Sequence, residues 1–206
     1  MSSRTDGREI LPLSPDRVYY TKREDMVKRE DIVPGVAYFI PLAALRQTPK
    51  VNFHALPHDL VKEIAAIDRV EHDVGAYSPI AKDRPELRAW YMHPHQEDNL
   101  LVLRGKRDID LYTIKHGVVE RFQATPHAIQ HNGKTVFEGP ALLGWGTHVF
   151  HRVTSPDGSV SMNFARHFDG FNIKDNFNIY ELNTETGEYT TVREGHLDQP
   201  VQDMGE

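Results

Sequence analysis

From residue 69 onward, apolar and polar residues alternate in short runs. They read "RVEHDVGAYS", "LRAWYMH", "NLLVLRG", "RDIDLYTI", "VVERFQA", "KTVFEG", "ALLGWG", "HRVTS", "SVSMNFARH", "FNIYELN" and "EYTTVRE", punctuated by Gly, Pro and Asn. A period of two sends successive side chains to opposite faces, so each run predicts a half-buried strand. Many short strands at near-regular spacing, with no helical pattern between them, predict an all-β fold: an antiparallel sandwich or barrel rather than a parallel α/β sheet. The turns agree, because "KHG" (115–117), "HNGK" (131–134), "SPDG" (155–158) and "TETG" (184–187) carry Gly or Asn where a hairpin needs positive φ. The last of these predicts a C-terminal hairpin over 177–194.

The first part of the chain is irregular. "PHDLVKEIAAI" (57–67) sets Leu60, Val61, Ile64 and Ile67 at helical spacing and predicts a short helix outside the main core. "KRED" occurs at 22–25 and again at 28–31. An echo that short is a solvated charged face, since repeat architectures need periods of about 20 residues or more. The resulting division is an N-terminal extension, 1–69, packed on a barrel that occupies 70–206 together with its hairpin and tail.

Composition narrows the function. At 206 residues and 39% hydrophobic content the chain suits one core. A formal charge of −6 leaves no clustered basic surface for nucleic acid or an anionic membrane, so the expected partner is a small molecule. With no cysteine and 12 histidines, no disulfide can form, and any metal would be held by imidazole, carboxylate or phenolate. Neither a secretory signal pattern nor a run of about 18 apolar residues occurs, which predicts a cytoplasmic chain. Nucleophile elbows, phosphate-cradling Gly loops and dinucleotide fingerprints are missing as well.

The chemistry concentrates in "YMHPHQEDNLLVLRG" (91–105). In "LRAWYMH", Ala89, Tyr91 and His93 share one face, and Arg88, Trp90 and Met92 share the other. Pro94 lacks an amide proton and ends the ladder, leaving His95 to Glu97 for a turn. Asp98, Leu100 and Val102 then share a face of the next strand. If the two faces meet, a phenol, an imidazole and a carboxylate converge inside an apolar barrel. The plainer readings are a core histidine bonded to a carbonyl for His93 or His151, and a turn cap for Asp98.

These residues resemble the first motif of the cupins, small jelly-roll β-barrels (antiparallel double-stranded β-helices). That motif has two histidines one residue apart, a glutamate about five positions later and a glycine about seven beyond it. With Gly105 on the family glycine, Asp98 falls at the glutamate, His93 at the second histidine and Tyr91 at the first. Reading His93 and His95 as the pair keeps the residue types and loses the register. "GPALLGWGTHVFHRVTSPDG" (139–158) resembles the second motif, with Gly139 opening a strand, Gly146 in the turn and His151 as the matching ligand; His148 is the alternative. It departs at Gly144 and Trp145, where the family prefers proline. "HQEDNLLVLRG" is also similar to cupins of the sugar-nucleotide 3,5-epimerase (RmlC-like) type, which use histidine and tyrosine without metal.

The resemblance implies, first, an enzyme on a small polar metabolite, a sugar or carboxylate, at a divalent metal (Fe, Mn, Zn or Ni) held by His93, His151, Asp98 and His95. It implies as alternatives a metal-free epimerase or isomerase with His93 as base and Tyr91 as acid, or a non-catalytic binding barrel. Extensions at both ends and open sheet edges predict a homodimer.

Overall fold

The computed structural model describes residues 27–198. In chain order its strands are β1 (Glu30–Val33), β2 (Ala37–Pro41), β3 (Ala43–Thr48), β4 (Val51–Ala55), β5 (Ile64–His72) and β6 (Ala76–Ser78). The motif region holds β7 (Trp90–Met92), β8 (Gln96–Gly105), β9 (Arg107–Tyr112), β10 (Glu120–Thr125), β11 (Ala128–His131), β12 (Lys134–Glu138), β13 (Ala141–Trp145), β14 (Phe150–Ser155) and β15 (Ser159–His167). A one-turn helix α1 (Ile173–Asn176), the strands β16 (Ile179–Leu182) and β17 (Tyr189–Arg193), and a 3-10 turn at Gly195–Asp198 complete the described chain. No helix among the described residues is long and apolar enough to cross a membrane.

Two antiparallel sheets face each other as a jelly roll. One has the order β1-β2-β13-β8-β15-β5, the other β12-β11-β10-β9-β14-β7-β16-β17, with β6 on β14. Leu100, Val102, Ile109, Leu111, Phe122 and Leu143 fill one part of the space between them. The alternating pattern predicted this division: Tyr91 turns inward, while Trp90 and Met92 join Tyr112, Phe150 and Tyr180 in a separate cluster. The hairpin predicted at 177–194 is β16 and β17, with Tyr180 opposite Thr191.

Two features of the first 69 residues differ from expectation. The predicted helix over 57–67 does not form. Residues 57–61 make a single turn, with Leu60 and Val61 amides donating to the Pro57 carbonyl, and from Ile64 the chain becomes β5, paired along its length with β15. The same letters carry a second period: Ala66, Asp68, Val70 and His72 alternate toward the barrel interior. A helix would have left the backbone of β15 unpaired on that side. Pairing outweighs the helical spacing of four apolar residues. Further, β1 and β2 are strands of the barrel sheet itself, β2 pairing with β13 from Ala141 to Gly144. The hairpin β3–β4 stands apart as its own two-stranded sheet. The first "KRED" lies outside the described residues; in the second, Arg29, Glu30 and Asp31 are exposed.

The departure from the cupin pattern at Gly144 has a steric cause. A Cβ there would run into the ring of Tyr38 on β2, whose hydroxyl donates to Asn99 Oδ1 at 2.8 Å. Gly144 is thus the notch that admits the β2 tyrosine.

Candidate active site

The interior faces of β5, β7, β8, β14 and β15 line an open cavity of about 490 Å³. Tyr91, His93, Asp98 and His151 all line it. Register explains why: His151 on β14 pairs with Tyr91 on β7, and Asp98 pairs with Trp145 on β13. The rings of His93 and His151 are 4.7 Å apart, and that of Tyr91 lies 6.1 Å from His93 and 5.8 Å from His151. One ligand atom each from His93, Asp98 and His151 fall within 4.8 Å of one another, all three residues being buried. His95 does not join them. Its carbonyl accepts from the Phe168 amide and its ring packs against Gly170, outside the cavity lining. His148 is exposed and lines a separate surface cleft with Lys115 and His116.

The hydrogen bonds define the protonation pattern. His93 Nδ1 lies 2.5 Å from the Asn176 carbonyl and His151 Nδ1 lies 3.1 Å from the Val149 carbonyl. A carbonyl only accepts, so both Nδ1 atoms carry protons and each Nε2 is the working nitrogen. His93 Nε2 faces Asp98 Oδ2 at 3.4 Å, which sets two acceptors against each other unless a proton or a cation lies between them. Asp98 Oδ1 accepts from Gln96 Nε2 and Asn163 Nδ2, each at 2.7 Å. Burial by itself would raise the Asp98 carboxyl, but His93, then His151, and these two donors together hold it below the usual carboxylate range. Burial, reinforced by the charge of His93, pulls His151 down to about 4. Burial pushes the Tyr91 phenol up, while a hydrogen bond with Ser78 opposes that shift.

Several lining residues were missed in the sequence. Asp68 follows directly on the run read as a helix and His72 sits among polar residues, so neither carries an inward signal of its own. Arg107 passed unnoticed two residues after Gly105. His167 also lines the cavity and stacks on Phe171 at 3.5 Å. Phe177 sets its edge against the His93 ring at 5.2 Å.

His72 gives a pH prediction. Burial, then the neighbouring charge of Arg107, lower it to about 4, and its Nδ1 pairs with Ser155 Oγ at 3.0 Å. A histidine held neutral when folded contributes stability above its ordinary value near 6.5, and that contribution is lost as pH falls toward 4. His72→Asn should therefore reduce the loss of stability between pH 7 and 4.5 by about 1 kcal/mol, solvent screening included, as read from denaturant midpoints.

No family model and no curated protein matches the chain. Among solved structures the fold is that of the RmlC-like cupins. NovW, a 4-keto-6-deoxy sugar epimerase from the novobiocin biosynthetic gene cluster of Streptomyces spheroides, superposes with a TM-score of 0.50 at 11% identity, covering 73% of this chain and 74% of that one. QdtA, a sugar 3,4-ketoisomerase from Thermoanaerobacterium thermosaccharolyticum in complex with TDP, gives 0.46 at 12% identity over 64% of this chain and 81% of that one. A dTDP-4-dehydrorhamnose 3,5-epimerase from Sulfolobus tokodaii gives 0.44 at 9% identity over 70% and 77%. At these identities the likeness is one of fold.

Proposed function

We propose that this protein is an isomerase or epimerase that moves a proton at a carbon beside a carbonyl group of a small cytoplasmic metabolite. The observation that carries this reading is the buried His93–Asp98 pair, Nε2 to Oδ2 at 3.4 Å, on the wall of a cavity that Tyr91 also lines. His93 takes the carbon-bound proton at Nε2, Asp98 stabilises the resulting imidazolium, and Tyr91, kept protonated by burial, supplies a proton to the enolate that forms. NovW, of similar fold, carries out an epimerisation of a keto sugar, a reaction of the kind this pair would serve.

A second reading is favoured by the convergence of His93, Asp98 and His151, with both Nδ1 atoms tied to carbonyls as in metal-ligating histidines. Two imidazoles and one carboxylate fit Fe, Mn, Zn or Ni, and such an ion would polarise a substrate oxygen. One experiment separates the two. Protein purified without chelator or nickel resin is analysed for metal, and hydrogen exchange from deuterated water into a panel of keto sugars and keto acids is followed by NMR. The acid/base reading expects exchange that persists after dialysis against EDTA. Stoichiometric metal together with exchange abolished by EDTA would replace it with the metal reading, and no exchange on any substrate would leave a binding barrel.

The same reading includes a homodimer. The edge strands β1 and β5 end one sheet, and β5 leaves Ile67 57% exposed, a surface that a second copy would cover. Sedimentation at micromolar concentration should give twice the monomer mass, and a monomer alone would remove the claim.

A further inference from the structure

The cavity has a second polar pole that the proton chemistry does not use. Arg107, the first residue of β9, is 3% exposed and lines the cavity. Its Nε donates to Ser159 Oγ at 3.0 Å and its Nη2 to the Val70 carbonyl at 3.3 Å. Its guanidinium has neutral partners only: burial alone brings it down to about 10, with no opposite charge acting on it. The other charged group facing this end, His72, is pushed toward neutrality beside it. An isolated buried cation costs several kcal/mol unless an anion completes it.

Its position along the barrel sets a length. Val70, whose carbonyl receives the guanidinium, pairs with Ser161 on β15, whereas Asp68, two residues earlier on β5, pairs with Asn163, the residue that donates to Asp98. Two strand residues correspond to about 7 Å. Leu100, Val70 and Val153 line the space between the two poles. At the His93 end the Trp145 indole Nε1 is buried and has no partner, and the ring lies 5.2 Å from His151. The cavity therefore offers a fixed cation at one end, an apolar waist, and an unused hydrogen-bond donor beside the histidines at the other.

We infer that the barrel binds a short keto or hydroxy carboxylate. The carboxylate is received by Arg107, the chain lies along Leu100, Val70 and Val153, and the carbonyl or hydroxyl oxygen accepts from Trp145 Nε1 beside His93. Arg107 suits a carboxylate because its planar fork can donate two parallel bonds. This rests on the reading of His93 and Asp98 as the reacting end and names the substrate class for it.

The test is calorimetric titration of the intact protein with 5-oxohexanoate, whose ketone lies about 6 Å from its carboxylate, and with the methyl ester as the uncharged control. The acid should bind at least tenfold more tightly than the ester. Arg107→Met should abolish that preference, and Arg107→Lys, which keeps the charge and loses the fork, should keep only part of it. Equal binding of acid and ester to the unaltered protein would overturn the inference, and this comparison stands even if Arg107→Met fails to fold. So would inorganic phosphate binding as tightly as the acid, because the carbon chain would then contribute nothing. Acid preference without deuterium exchange into the ketone's neighbouring carbons would keep the Arg107 site and reject the isomerase. Exchange confined to neutral keto sugars would do the reverse.

Discussion

Asp98→Asn is expected to lower proton-exchange turnover by about 10²–10⁴-fold while leaving the barrel folded. The reason lies in which oxygen does what. Oδ1 accepts from Gln96 and Asn163, and an asparagine keeps that atom and both bonds. Oδ2, which faces His93 Nε2 at 3.4 Å, becomes an NH₂ group. Because His93 Nδ1 already donates to the Asn176 carbonyl, the new amide donates to the one lone pair His93 has for the substrate proton. The base is occupied without any cavity being opened. The measurement pairs exchange rates with circular dichroism and the thermal midpoint. Turnover within threefold of the unaltered protein would show that His93 does not work through Nε2, and a collapsed spectrum would show that the pair is needed for folding instead.

Gly105→Ala is expected to cost about 3 kcal/mol or more, lowering the thermal midpoint by about 6–12 °C for a chain of this size. Gly105 has φ 75°, a conformation that costs an L-residue about 1–2 kcal/mol by itself. A Cβ there would also run into the Gly158 carbonyl oxygen and stand 3.0 Å from Ser159 Cα, both backbone atoms of a neighbouring turn that cannot rotate away. Gly133→Ala isolates the first contribution: φ is 79° and nothing lies within 4 Å of the added carbon, so about 1–2 kcal/mol is expected. Differential scanning calorimetry of both variants checks the difference. Equal midpoints would mean that the turn after β8 moves freely from the one after β14.

Much of the barrel was legible because its strands bury one face and alternate cleanly. Tyr91 and His93 against Trp90 and Met92 is a period-two signal that needs no partner to be read, and the resemblance to the cupin motif, with Gly105 on the family glycine, put Asp98 in one site with His93. The stretch from 57 to 67 was harder. Its four apolar residues fit a helix, and only the vacant edge of β15, a feature of the assembled sheet, decides for a strand. Asp68, His72 and Arg107 escaped for a related reason: each is an ordinary surface-type residue in its local context, and burial comes from pairings with residues far away in sequence. The Asn176 carbonyl, which fixes the His93 tautomer from 83 positions away, has no side-chain signal at all.

That carbonyl has a consequence for how the reaction would cycle. Asn176 closes α1, its amide side chain donates to Gln96 Oε1, and the adjacent Phe177 covers the His93 ring. The segment that lines the cavity with Ile173 and Phe177 is therefore also the one that holds Nδ1 in place. Displacing it would loosen the tether, let the imidazole swap its proton between nitrogens and silence the base. The base would then be competent only while this segment keeps its place against the imidazole.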